Sequence, residues 1–435
     1  MTDEREARPA EQAKAPLDSK PDAASSPTPD AEPRRSFVQR ARGLLSGILL
    51  PVLSVFTALV VGGLIIILTD GELLSLWTSD PIAALGASWS SVMDSYGALF
   101  RGSIGDPFRV FGALFSGDWV ELKRAFVPLS ETIVSTIPLI FTGLSVALAF
   151  RVGLFNIGAE GQLYLGALFA VIVGFSFTGL PWFIHAPLAV AAGFVGGALW
   201  GFVPGILKAR TGAHEVIVTI MMNFIAYRTL DFALRTPFVQ REGRSDPISE
   251  IVEPSAVLSP IVEGLRAHWG IAIGILAAIA VWWLLFRSVK GFEFRAVGLN
   301  PRAAQYAGMS IAWSTAASMA LAGGLAGLAG AAVLLGGAGT LTPGFSPGYG
   351  FDGITVALVG ATRPAGVVAA AFLFGALRAG ATPMQAATGT PIDIVVVIQA
   401  LVIVFIAAPA LVRAIYRVKA ERALGTEVFA KGWGS

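Results

Sequence analysis

Cysteine is absent from the 435 residues, and histidine occurs only at His185, His214 and His268. No disulfide, thiolate nucleophile or zinc–thiolate site can form, and three histidines so far apart in the chain offer no ligand spacing for a metal cluster. Charge is scarce too: 14% of residues are charged, against roughly 25% in soluble domains. The net charge of +2 comes from basic residues scattered near the ends of apolar runs, so no basic face exists for nucleic acid. No Gly-Lys dipeptide occurs anywhere, which excludes a phosphate-cradling P-loop. Catalytic side chains fare no better, because no carboxylates or histidines converge in the pattern that acid/base chemistry requires. In place of these the chain has 54% hydrophobic residues and a mean hydropathy of +0.70, the composition of an all-α, polytopic membrane protein.

The most informative stretch is Arg151 to Gln162, RVGLFNIGAEGQ, between two apolar runs that are each long enough to cross a bilayer. Unpaired backbone groups and a carboxylate at membrane depth cost several kcal/mol each, so they persist only when buried in protein or lining a wet cavity. Gly153, Gly158 and Gly161 permit a break or a close helix approach, while Asn156, Glu160 and Gln162 supply hydrogen-bonding groups. Two readings stay open here. The stretch is a broken helix beside a transport path, or a helix start at the membrane surface with Asn156 as cap and Glu160 in the first turn.

Along the chain, residues 1–36 are rich in Pro, Ala and charge without apolar periodicity, which predicts a disordered cytoplasmic tail with no secretory-signal core. Arg34, Arg35, Arg40 and Arg42 precede a first span near 44–68 and place the N-terminus inside. Residues 69–130 carry seven acids and amphipathic pieces such as Asp118 to Phe126, which predicts a segment lying along the outer surface. Spans follow near 132–150, 154–174 and 186–207. The last of these has Gly193, Gly197, Gly201 and Gly205 every four residues, a face for tight helix contact. After Lys208 and Arg210, TGAHEVIVTIMMNFIA (Thr211 to Ala226) opens the next span. Glu215 is there a first-turn acid, or with Asn223 a group facing the translocation route.

An extracellular loop is expected over 235–268, interrupted by four prolines, and then a span near 269–286. Residues 287–310 carry four bases and one acid and are expected to be cytoplasmic. Asn300 is placed to cap a short helix beginning at Pro301 and running through Ala303, Ala304 and Ala307. The next span, near 311–335, contains Gly323 and Gly327 in a second small-residue seam. FDGITVALVG (Phe351 to Gly360) is too short for a span and is broken by Arg363-Pro364 from residues 365–380, which predicts a half-helix or re-entrant pair. A last span near 392–409 precedes Arg413, Arg417, Lys419 and Arg422. The total is about ten transmembrane or re-entrant helices, with both termini cytoplasmic: a permease domain over 37–420 between the N-terminal tail and a cytoplasmic C-terminal tail over 421–435.

With these motifs assembled, the chain resembles the permease subunits of bacterial ATP-binding-cassette importers, in the branch that takes up nucleosides and simple sugars. FNIGAEGQ (Phe155 to Gln162), GAHEVIVTIMMNFIA (Gly212 to Ala226), VGLNPRAAQYAGMS (Val297 to Ser310), FDGITVALVG and FLFGALRAG (Phe372 to Gly380) carry the likeness, which covers roughly 129–412. It is strongest for the purine-nucleoside type. The resemblance implies a multi-pass protein of the bacterial cytoplasmic membrane. It implies an ATPase subunit that holds ATP and Mg, a second and different permease, and an extracellular substrate-binding lipoprotein. It implies a coupling helix involving Arg295, Gly298, Asn300, Ala303, Ala304, Tyr306 and Gly308. No cofactor is expected on this chain. Asn156, Glu160, Gln162, Glu215 and Asn223 are the candidates for the substrate path. An ion-coupled or facilitative carrier would need paired intramembrane charges, and a membrane enzyme would need a convergent acid/base pair; the sequence favours neither.

Overall fold

The computed structural model describes residues 37–417, with side-chain surroundings from Leu49 onward. The expected tails at 1–36 and 421–435, with Lys419 and Arg422, lie outside the described residues. The chain divides at Ile48 into two units, and every contact described below lies within the second. Among the described residues there are sixteen α-helices and no strand, only two isolated bridges in the 235–268 loop. In order they are α1 (Phe37–Thr69), α2 (Gly71–Ser79), α3 (Pro81–Ile104), α4 (Pro107–Ser116), α5 (Trp119–Arg151), α6 (Ala159–Ser176), α7 (Trp182–Thr211) and α8 (Glu215–Ala233). Then come α9 (Gly270–Arg287), α10 (Val289–Leu299), α11 (Pro301–Tyr306), α12 (Ile311–Val333), α13 (Tyr349–Val359), α14 (Pro364–Thr388), α15 (Ile392–Ala407) and α16 (Pro409–Tyr416).

Eight described helices are long and apolar enough to cross a bilayer, or nine if α15 and α16, bent by 88° at Ala408, form one span. The eleven-residue α13 is the short apolar half-helix expected from FDGITVALVG. Its partner is longer than the residues 365–380 that the sequence predicts, since α14 continues to Thr388 and passes as a span by itself. At the centre stands α5, whose residues 136–149 are all buried.

Residues 69–130 depart from the expected surface segment. The amphipathic piece from Asp118 is the beginning of α5, capped by the Asp118 carboxylate on the N–H groups of Val120 and Glu121. Helix α3 packs into the bundle: Thr132 donates to the Ser103 carbonyl at 2.7 Å, and the Ser95 and Thr390 hydroxyls meet at 2.9 Å. Its buried face is Ala84, Ser88, Ser95, Ala98, Leu99 and Ser103. That face is small and hydroxylated, so hydropathy does not mark it, although its spacing of three, four and seven is helical.

Helices α7 and α12 cross along the two glycine seams. A Cβ on Gly197 would strike the Gly323 carbonyl oxygen and lie 2.7 Å from the Gly327 Cα, and one on Gly201 would lie 2.9 Å from the Gly323 Cα. Gly205 meets Ala316 and Met319, and Gly193 meets Ala331. With no side chains between them the backbones touch, which is how helices gain dispersion contact in a lipid solvent that offers no hydrophobic drive for association.

Candidate functional site

Helix α5 ends at Arg151, where Gly153 turns the chain at φ +73°. Residues 154–158 then run without regular structure until α6 starts at Ala159. That start is internal. Gly158 lies against Thr219, about one turn inside α8, and Gly161 against Asn223, about two turns inside. Helix α13 begins at the same place, because Gly350 packs directly on the Glu160 backbone. Two helix N-termini with unpaired N–H groups therefore converge inside the bundle.

Side chains from three segments satisfy them. Asn223 Oδ1 accepts from the Gly161 N–H at 2.8 Å, while Asn223 Nδ2 donates to the Ile157 carbonyl at 3.0 Å. The Gly350 N–H donates to Glu160 Oε2 at 2.6 Å, placing a carboxylate at the positive end of α13. Asn156 and Gln162 pair amide to amide at 2.8 and 3.0 Å, and Asn156 also donates to Ser145 Oγ at 3.1 Å. All four side chains are at most 2% exposed. Both sequence readings meet here: the helix does start after Asn156 with Glu160 in its first turn, but it starts within the bundle. The cap role falls elsewhere, since Gly158 is the N-cap of α6 and makes no side-chain cap bond.

Glu215 is not brought to Asn223. It pairs with Lys208 of α7 at 2.6 Å, with the His214 ring 4.0 Å away. Further along α8, Asp231 pairs with Arg235 at 3.2 Å rather than with Arg228, one turn before it. Arg378 is a residue the sequence reading passed over. Its Nη1 lies 3.3 Å from Asp352, its Nη2 donates to the Pro347 carbonyl at 3.3 Å, and its guanidinium stands 4.8 Å from the Tyr349 ring centroid. An arginine within the apolar run of α14 was the available signal. Together with Glu160 it anchors the first turn of α13. Among the described residues no three His, Asp or Glu side chains gather to hold a metal.

A second structural centre joins this break to the 287–310 segment. Asn300 caps α11 with Oδ1 accepting from the Ala303 N–H at 3.0 Å, and Pro301 occupies the first position. Ala304 faces inward at 4% exposure, Ala303 and Gly308 are exposed, and Tyr306 is 94% exposed. The segment before Asn300 is a separate helix, α10, so Arg295 and Gly298 stand on α10 and Ala303, Ala304 and Tyr306 on α11. A Cβ on Gly298 would lie 2.6 Å from the Val152 carbonyl carbon, and one on Gly153 would lie 3.1 Å from the Gly298 oxygen. Arg295 and Arg151 both lie against the Phe286 ring, at 5.5 and 5.6 Å. The exposed short helix is thus in backbone contact, through α10, with the turn that leads into the polar node.

A helical bundle with two helices broken at a buried polar node, and an exposed ledge pressed against the break, defines the membrane-spanning subunit of a transporter. Residues 129–407 match the family of the branched-chain amino acid transport system permease component, and the chain belongs to that family. It is the permease subunit of an ABC importer, a multi-pass protein of the cytoplasmic membrane, with ATP hydrolysis on a separate subunit. The chain is 40% identical over 377 residues to the guanosine ABC transporter permease protein NupP of Bacillus subtilis, covering 85% of this chain and 95% of that one. It is 35% identical over 311 residues to the glucose ABC transporter permease protein TsgB13 of Haloferax volcanii (69% and 80% covered). It is 37% identical over 287 residues to the nucleoside ABC transporter permease protein NupB of Lactococcus lactis (64% and 79% covered). No solved structure matches the chain significantly.

Proposed function

We propose that this permease carries a nucleoside into the cell. In this reading it works beside a second, different permease, receives substrate from an extracellular binding lipoprotein and is driven by an ATPase docked on α11. The observation that carries the substrate is the 40% identity to a guanosine permease across 85% of the chain. Docking on α11 is supported by its capped, solvent-facing form: Ala303, Tyr306 and Gly308 present the surface, Asn300 and Ala304 set its angle, and Arg295 and Gly298 tie it through α10 to the turn at Gly153. Asn156, Glu160, Gln162 and Asn223 stand along the substrate path where α6 and α13 begin, exchanging partners as these helices tilt, and Glu215 with Lys208 stands at the inner mouth. Both termini lie in the cytoplasm.

The test is reconstitution of the permease pair, ATPase and binding protein in proteoliposomes, with uptake of labelled guanosine and of labelled glucose. Guanosine uptake requires ATP and is competed by other nucleosides. Tyr306→Asp abolishes the stimulation of ATP hydrolysis by loaded binding protein while the permease remains folded. Uptake of glucose alone overturns the substrate, uptake driven by an ion gradient without ATP overturns the mechanism, and unchanged stimulation in Tyr306→Asp overturns the docking surface.

A further inference from the structure

The polar node has a cavity stacked directly on it. Tyr164 is four residues beyond Glu160 on α6, and Tyr227 is four beyond Asn223 on α8, so each stands on the helix face that builds the node, one turn further along. Their rings meet edge to face, with centroids 4.7 Å apart at 66°, and Phe345 meets Tyr164 at 4.8 Å. These tyrosines border a cavity of about 470 Å³ whose other walls include Arg228, Asp231, Arg235 and Gly344. The size falls within the roughly 300–1,000 Å³ of small-molecule sites. Tyr164 is buried, Tyr227 half-buried, and Arg228 and Arg235 exposed, so the cavity grades from an aromatic wall to a charged rim.

The chemistry of the lining selects among solutes. Asp231 is neutralised by Arg235 at 3.2 Å, whereas Arg228 forms no ion pair among the described residues. One guanidinium is left over, which repels cations and offers a fork of donors to an acceptor edge. A planar base has both a face for the tyrosine wall and such an edge, and guanine with its adjacent O6 and N7 fits the fork best. A hexose offers only a small C–H face and hydroxyls that donate as well as accept, so a flat π-face with two fixed acceptors makes fuller use of this wall and fork.

We propose that this cavity receives the base of a nucleoside in transit, with Tyr227 as the stacking surface and Arg228 as donor to the acceptor edge of the base. The proposal rests on the nucleoside reading above and adds where and how the base is held. Its position gives the node a role in passage: occupant and helix break are one turn apart, so the tilting of α6 and α13 that opens the node also removes the floor of the site.

The experiment uses the complete importer in proteoliposomes at saturating guanosine-loaded binding protein, reading labelled guanosine taken up per ATP hydrolysed. Tyr227→Ala lowers this ratio about tenfold, the size of one lost base–aromatic stack, while Tyr227→Trp keeps it within about twofold. Arg228→Gln, at an exposed position where folding is not at stake, lowers guanosine uptake more than adenosine uptake, because adenine lacks O6. If Tyr227→Ala does not fold, the Tyr227→Trp and Arg228→Gln arms decide. Equal loss in the Ala and Trp variants, a wild-type ratio in Tyr227→Ala, or an unchanged guanosine-to-adenosine preference in Arg228→Gln overturns the proposal and leaves the nucleoside importer standing. A wild-type complex that carries glucose and no nucleoside overturns both.

Discussion

Asn223→Ala tests whether the polar node holds the broken helix in place. Asn223 spans from α8 to the chain on either side of the break, accepting from the Gly161 N–H at 2.8 Å and donating to the Ile157 carbonyl at 3.0 Å, in a position 2% exposed. Alanine removes both hydrogen bonds and leaves one backbone donor and one acceptor buried without partners. Each such group costs about 1–3 kcal/mol, so the loss is about 2–6 kcal/mol, with the low end set by a water that takes the vacated space. A native protein has only about 5–15 kcal/mol in total. Asn223→Asp separates the two bonds: a carboxylate still accepts from Gly161 but sets a second oxygen against the Ile157 carbonyl in a site too buried to tolerate charge. The assay is thermal melting of the purified permease in detergent, followed by size-exclusion chromatography. Both variants melt at least about 2 °C below wild type, and Asp is no better than Ala. An Asn223→Ala protein that melts with wild type refutes the view that this side chain satisfies the break.

Two further outcomes follow from the same geometry. Gly197→Leu drives a side chain into the Gly323 carbonyl and the Gly327 Cα; the α7–α12 crossing cannot form, and folded protein recovered from membranes falls at least tenfold, whereas Val195→Leu, at an exposed position, leaves recovery unchanged. His268, just before α9, is 3% exposed and accepts from the Gly270 N–H through Nδ1. Burial, with the Arg266 charge adding to it, pushes its pKa down from 6.5 to about 4. The unfolded chain therefore binds this proton first, so the stability tied to neutral His268 is fully present above pH 6.5 and lost as pH falls toward 4, by about 3 kcal/mol. Melting temperature measured between pH 7 and pH 4 shows this decline in wild type, and His268→Asn reduces it; an identical pH profile in the two proteins would sink the assignment.

Several features were legible in residue order because local physics decides them. Asn300 before Pro301 is a cap in any context that leaves the segment solvated, and α11 starts there. The four-residue glycine spacing on α7 marks a bare face, though it does not say that Gly323 and Gly327 fill it. The half-helix α13 follows from an apolar run too short to span. By contrast α3 escaped notice because its inner face is serine and alanine, and the first thirteen residues of α5 were separated from the rest because they are amphipathic, not because the helix stops. Glu215 and Asn223 share one helix and a plausible route, yet their partners, Lys208 and Gly161, lie on different neighbours, and spacing along α8 has no means of distinguishing them.

Sequence alone therefore settled the solvent and the lineage: so few charges and so many apolar runs have no stable home but a bilayer, and the ordered motifs name a permease. Only the tertiary structure decided what the RVGLFNIGAEGQ stretch is for. A carboxylate and open helix ends in a low-dielectric interior must find partners, but that requirement does not say which ones. The answer, Asn223 62 residues away for Gly161 and Gly350 190 residues away for Glu160, comes from helices whose relative placement is set by packing across the whole bundle. Local propensity carries no information about it.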